Sequence, residues 1–284
     1  MPEVESLAVF LRERCVGRVI ARVELTAFSA LKTYDPPLSA LNGLEVDGVE
    51  WHGKYLDLSA QGLHLVFHLA RAGWLRWKDQ LPETPAKPGK GPLALRVRLD
   101  DGSGFDLTEA GTQRKLAVHV VADPRDIAMV ATLGPDPLSP DFDEAALQAV
   151  LTKAGRAQLK GVLKDQRIIA GIGNAYSDEI LHAARLSPFK PSSSLTPEEL
   201  RTLYRAVKDE LGGAIARAEG LAAKDLKGEK KSGLRVHGRK GQPCDVCGDT
   251  IAEVSFADSS LQYCPTCQTG GKPLADRRLS KLLR

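Results

Sequence analysis

Residues Pro243–Gln268 read PCDVCGDTIAEVSFADSSLQYCPTCQ, two Cys-x-x-Cys pairs with sixteen residues between them. Each pair closes a tight turn that aims two sulfurs at one point, and four thiolates complete a tetrahedral shell for one structural Zn²⁺. Cys244, Cys247, Cys264 and Cys267 are the expected ligands. Ile251, Val254, Phe256 and Tyr263 suit two short strands between the knuckles. Two disulfides or a thioredoxin-like redox pair would use the same residue type. Neither fits, because the chain opens MPEVESL with no cationic and apolar leader and no βαβ pattern surrounds either pair. The metal would hold a module too small for a core of its own, with a binding free energy on the order of 10–16 kcal/mol coupled to folding. A structural zinc of this kind does no chemistry; it presents a surface.

Charge says what that surface meets. Residues 224–241 carry seven Lys or Arg against Asp225 and Glu229, while the whole chain nets only +3. A basic stretch leading into a zinc ribbon is the electrostatic footprint of a polyanion binder; the competing reading is a solvated linker. With 284 residues, 43% hydrophobic and 26% charged, the chain has room for two ordinary domains plus the ribbon. Its longer apolar runs, such as Leu63–Ala70, fall far short of a membrane span, so no membrane partner is expected. Four of the five cysteines go to the metal and Cys15 sits in an amphipathic stretch, which fits a reducing, cytoplasmic setting.

Upstream, Val4, Leu7, Phe10 and Leu11 fall at helical spacing, so a helix is expected over residues 4–15. From Gly17 to Asp123 the pattern becomes strand-like. Leu93, Leu95, Val97 and Leu99 alternate with Ala94, Arg96 and Arg98 ahead of an Asp101-Gly102 turn; Val46–Leu58, Leu63–Ala70 and Leu116–Val121 read as further strands. Pro82–Pro92, with four prolines, reads as a mobile loop. Helical period then returns at Asp143–Lys153, Gln158–Lys164, Asn174–Leu186 and Pro197–Ala218, the last entered through Thr196 as its cap. The expected architecture is α+β and multidomain: an N-terminal helix with a β-sandwich (1–123), a connector (124–142), a helical domain (143–234) and the ribbon with a tail (235–284). The segment RIIAGIGNAY (Arg167–Tyr176) lacks the third glycine of a dinucleotide fingerprint. It reads instead as a tight turn between two helices, whose second helix offers N–H groups to a phosphate at Asn174, with Lys160 as a second contact.

No His-Glu-x-x-His, Gly-x-Ser-x-Gly or phosphate-loop motif is present, and the six histidines are dispersed. The chemical feature is the terminus. Proline at position 2 permits removal of Met1, leaving a secondary amine in a class whose pKa lies near ~7.7–8.0. Such an amine attacking an aldehyde-like carbon gives an iminium, an electron sink for elimination. Glu3 stands beside it to move protons.

Met-Pro-Glu leading into a helix, Gly53-Lys54-Tyr55-Leu56, LGPDPLS (Leu133–Ser139), GIGNAYSDE (Gly171–Glu179) and VHGRKGQPC feeding the first cysteine pair occur in one order. This set resembles the formamidopyrimidine-DNA glycosylase / endonuclease VIII family over essentially the whole chain. The resemblance implies a base-excision repair enzyme that acts on damaged double-stranded DNA, works as a monomer and joins glycosylase to β,δ-elimination through an N-terminal proline Schiff base. It makes the helical part a helix–two-turn–helix domain. It makes Pro2 the nucleophile, Glu3 the acid/base and Lys54 a phosphate contact that assists the chemistry; Lys160 and Asn174 become phosphate contacts of the paired helices. Arg71 takes the place of a methionine wedge, and Arg239 is a further DNA contact. Ser259 stands where the family carries an arginine, with Arg239 or the tail residues Arg277 and Arg278 as replacements. That substitution, and a start about three residues shorter than the family's, leave a second reading: a damaged-DNA binder of the same fold with reduced catalysis.

Overall fold

The computed structural model describes residues 2–89, 91–111, 113–257 and 259–276. The chain forms two compact units. One comprises Pro2–Thr132 with Ala218–Lys227; the other comprises, among the described residues, Leu133–Arg217 and the chain from Gly228 onward.

The first unit begins with α1 (Pro2–Cys15), which starts two residues earlier than its apolar spacing indicates. Eight strands follow: β1 (Ile20–Leu25), β2 (Val46–His52), β3 (Tyr55–Ala60), β4 (Leu63–His68), β5 (Gly73–Lys78), β6 (Leu93–Leu99), β7 (Gly104–Glu109) and β8 (Ala117–Val121). They make two four-stranded antiparallel sheets in the orders β1-β6-β7-β5 and β2-β3-β4-β8, the sandwich that alternating patterns predict. Inward residues of both sheets and the apolar side of α1 share one core. Phe67 on β4 meets Phe105 on β7 with ring centroids 5.9 Å apart. Ala223 and Leu226 join that core from far along the chain, with Leu221 packed against it.

Two expectations change here. Val46–Leu58 is not one strand, because Gly53-Lys54 makes a two-residue hairpin that pairs His52 with Tyr55. Gly53 adopts φ 59°, as the first central position of a primed hairpin turn requires. The proline-rich segment is also pinned to the sheet. Arg98 donates to the carbonyls of Leu81 (3.0 Å) and Pro82 (2.9 Å), Arg22 to that of Glu83 (3.2 Å), and Glu24 accepts from the Ala86 amide (3.1 Å).

After the short α2 (Ala128–Ala131), the second unit holds α3 (Glu144–Ala154), α4 (Leu159–Lys164), α5 (Asn174–Ala183) and α6 (Pro197–Ala218, its last residue in the first unit). Thr196 and Glu199 form a reciprocal capping box: the Glu199 amide donates to Thr196 Oγ1 (3.2 Å) and the Thr196 amide to Glu199 Oε2 (2.9 Å). Leu147, Leu159, Leu163, Ile172, Ile180, Leu203 and Leu211 are among the residues of a second hydrophobic core. Beyond α7 (Leu226–Ser232) come β9 (Ala252–Ser255), β10 (Ser260–Tyr263) and α8 (Pro265–Thr269). Strands β9 and β10 pair antiparallel as the two strands expected between the knuckles, but Phe256 lies past the end of β9 and is exposed.

Candidate functional site

In the first unit the expected catalytic residues lie at the start of α1 (Pro2, Glu3) and in the β2–β3 turn (Lys54). Pro2 is buried at the first helical position of α1, and Glu3 and Glu5 occupy the first turn, where the helix dipole favours carboxylates. Helix α1 lies along β2 and β3, and Arg12 Nε donates to the Val49 carbonyl at 3.0 Å. Lys54, expected on a strand, is the second residue of the β2–β3 turn. Tyr55, which follows it, pairs with His68 at the end of β4, the two rings 4.9 Å apart. Burial and the Lys54 cation push the His68 pKa down to about 4, so the ring is neutral near pH 7. Its Nδ1 accepts from the Ala70 amide at 3.2 Å, which puts the ring proton on Nε2. Arg71 is exposed in the β4–β5 turn, at the same end of the sheet as Lys54. Gly73 closes that turn with no room for a side chain, since a Cβ would stand 2.0 Å from the Leu69 carbonyl oxygen. Sequence reading passed over His68 as one of six scattered histidines; only its register across the Gly53-Lys54 turn sets it apart.

In the second unit the Gly171–Gly173 segment is the expected turn. Gln166 braces it from both sides, accepting from the Gly171 amide (2.9 Å) and donating to the Ile172 carbonyl (2.7 Å). The structure brings Lys160 and Asn174 together but engages them differently from the expectation. Lys160 is 6% exposed, and its ammonium donates to Asn174 O (2.6 Å), Ser177 Oγ (2.7 Å) and Asp178 Oδ1 (2.6 Å). An ammonium has three N–H donors, so these bonds leave it none for a phosphate. Burial lowers its pKa, against the opposing pull of Asp178. Lys160 is thus a buried brace of the turn, because α4 faces the core there. The Asn174 side-chain amide donates to Ser260 O (2.8 Å), and the N-cap position of α5 is Gly173, which has no side chain to cap it.

Asn174 begins a polar seam that sequence reading missed. Asn174, Asp178 and His182 recur every four residues on α5 and so share one face. Asp178, fully buried, also accepts from the Gln262 amide (3.3 Å) and pairs with His237 Nδ1 (2.7 Å). Glu179 accepts from the amides of Arg235 (2.8 Å), Val236 (3.0 Å) and His237 (2.8 Å). His182 Nε2 lies 3.3 Å from Cys244 Sγ. Through these contacts α5 holds the ribbon. No local sequence pattern marks the seam, because its partners lie about sixty or more residues away. Arg239 is likewise engaged within the protein, in a two-pronged ion pair with Asp245 (Nη1–Oδ2 2.5 Å, Nη2–Oδ1 2.9 Å). Arg277 and Arg278 lie outside the described residues.

Cys244, Cys247, Cys264 and Cys267 bring their sulfurs within 4.8 Å of one another, and all four are free thiols. Tetrahedral zinc with Zn–S near 2.3 Å places sulfurs about 3.8 Å apart. The observed Cys244–Cys267 and Cys247–Cys264 separations, 3.9 and 3.3 Å, bracket that value and are too long for disulfides. The donor set fits Zn²⁺, which would hold the two knuckles together as a structural ion.

Residues 1–119 match the family described as "Formamidopyrimidine-DNA glycosylase N-terminal domain", residues 133–225 its H2TH domain, and residues 241–270 the zinc finger found in FPG and IleRS. The formamidopyrimidine-DNA glycosylase of Symbiobacterium thermophilum is 36% identical, over 98% of this chain and 92% of its own. A formamidopyrimidine-DNA glycosylase-like protein of Mycobacterium tuberculosis, described as uncharacterized, is 56% identical over 54% of this chain and 94% of its own. Among solved structures, the Lactococcus lactis glycosylase non-covalently bound to DNA containing an AP site aligns with TM-score 0.81 and 26% identity, over 95% of this chain and 99% of that one. The same enzyme with FAPY-dG DNA gives TM-score 0.82 and 25% identity, over 94% and 99%. By the length and identity of these matches, the chain belongs to the formamidopyrimidine-DNA glycosylase family.

Proposed function

We propose that this protein excises oxidised bases from duplex DNA and then cleaves the abasic strand, with Pro2 as the nucleophile and one structural Zn²⁺ holding the ribbon. The observation that carries the proposal is the near-full-length match to DNA glycosylases, combined with a proline-glutamate pair placed at the first turn of α1. In peptide linkage to Met1, the Pro2 nitrogen has no lone pair for attack. Removal of Met1 leaves a secondary amine at the positive end of a helix, where a further positive charge is disfavoured. That amine adds to the sugar C1′ as the C1′–base bond breaks and the base leaves with a proton. Glu3 protonates the ring oxygen as the sugar opens to the iminium. Loss of a C2′ proton expels the 3′ phosphate, and a second elimination expels the 5′ phosphate.

Lys54 serves as a flexible phosphate clamp at the hairpin tip, and His68 supplies a neutral N–H donor beside it. Arg71 fills the stack that a flipped nucleotide vacates. In the second unit the N–H groups at the start of α5 take a phosphate. Lys160 and the Asn174 side chain position these groups from behind. Ser259, in the turn between β9 and β10 where the Phe256 amide donates to its carbonyl (2.8 Å), motivates the second reading of a binder with reduced catalysis. Incision of duplexes bearing single defined lesions separates the two. Nicking at the lesion supports the enzyme, whereas salt-sensitive binding with no nicking supports the binder.

A further inference from the structure

We propose that His182 is a positioning residue of the metal centre, donating Nε2–H to the Cys244 thiolate and so tying α5 to the Zn²⁺ through one ligand. The inference rests on the reading of the four cysteines as a zinc site, and the test below separates failure of one from failure of the other.

His182 is 3% exposed on the α5 face that carries Asn174 and Asp178, and both of those residues bond to the ribbon. Its Nε2 stands 3.3 Å from Cys244 Sγ, a normal N–H···S separation. A zinc-bound thiolate has lone pairs and no proton, so a hydrogen bond at this distance needs the imidazole proton on Nε2. Nδ1 has no hydrogen-bond partner among the described residues, so no other contact selects the opposite tautomer.

Cys264 offers a parallel case on the same centre, where its Sγ accepts from the Cys267 amide at 3.5 Å. There the donor is backbone within the knuckle. At Cys244 it is a side chain from a different element, so the bond does more than shape a turn. It lowers electron density on the thiolate and fixes the orientation of the ligand, as outer partners of metal ligands do elsewhere. It also places the metal at the end of the seam that starts at the first turn of α5. A phenylalanine at 182 would fill the same space without the bond, which makes the role testable apart from packing.

The test uses full-length protein with Co²⁺ in place of Zn²⁺, after metal content has been measured. Wild type, His182→Phe and His182→Gln are compared by the thiolate-to-cobalt charge-transfer band. Loss of an N–H···S bond raises the energy of the sulfur lone pair, so the His182→Phe band should move to longer wavelength. Glutamine can return an N–H to the sulfur and should move the band back toward wild type. Equal band positions in all three proteins would overturn the proposal. Wild-type protein that binds no metal would overturn the zinc reading itself. Should His182→Phe not fold, ¹⁵N shifts of the His182 ring in wild-type holoprotein decide the matter: an Nε2–H tautomer supports the proposal and an Nδ1–H tautomer overturns it.

Discussion

Lys54 and Lys160 are two lysines that one resemblance marks as phosphate contacts, and their surroundings assign them different work. Lys54 stands on a two-residue turn, whereas Lys160 is sealed against Asp178. Lys54→Gln should lower the slope of log K against log salt for lesion duplex by about 0.9, the share of one phosphate contact. Lys160→Met should leave that slope unchanged and instead cost roughly 3–5 kcal/mol in denaturant unfolding, because it leaves a buried carboxylate without its cation. His68 adds a pH signature. Its folded pKa of about 4 lies below the ordinary 6.5, so the unfolded chain binds the extra proton between those values. The ring contributes stability that is fully present above about pH 6.5 and is lost as the pH falls toward 4. Unfolding midpoints measured across that window should fall less steeply in His68→Gln than in wild type.

At the scale of elements, sequence legibility followed the range of the interactions. The Cys-x-x-Cys pairs, the Thr196 cap and the Leu93–Leu99 alternation are local, and each marked an element that the structure contains. The Gly53-Lys54 turn was harder to read because apolar residues continue on both sides of it, masking the break between β2 and β3. The α5 seam was not legible at all: Asp178 and Glu179 look like solvated acids until the distant amides of 235–237 and 262 come to meet them. That seam makes a prediction about metal loss. Chelation, or Cys264→Ser, should unfold the ribbon and leave α3–α6 folded, since those helices have their own core. Hydrogen exchange should show protection lost across 241–270 and kept in α6; protection lost throughout both would mean that the helices depend on the metal.

At the scale of the whole molecule, the chain forms two compact units. Its order along the sequence is not the order of its units, since Ala218–Lys227 returns to the first unit before the chain enters the ribbon. Hydrophobic period alone could not show this, because Ala218, Ala223 and Leu226 read equally well as the end of one helical domain. The ordered motifs carried the family, but they could not show that Pro2 would be buried at the very start of α1. The central claim is that the terminal amine of this residue does the chemistry. It is tested most directly by borohydride reduction in the presence of abasic-site duplex, using protein with Met1 removed and protein whose Pro2 remains acylated. A covalent protein–DNA adduct is expected with the first and none with the second; equal trapping by both would mean that the terminal amine is not the nucleophile.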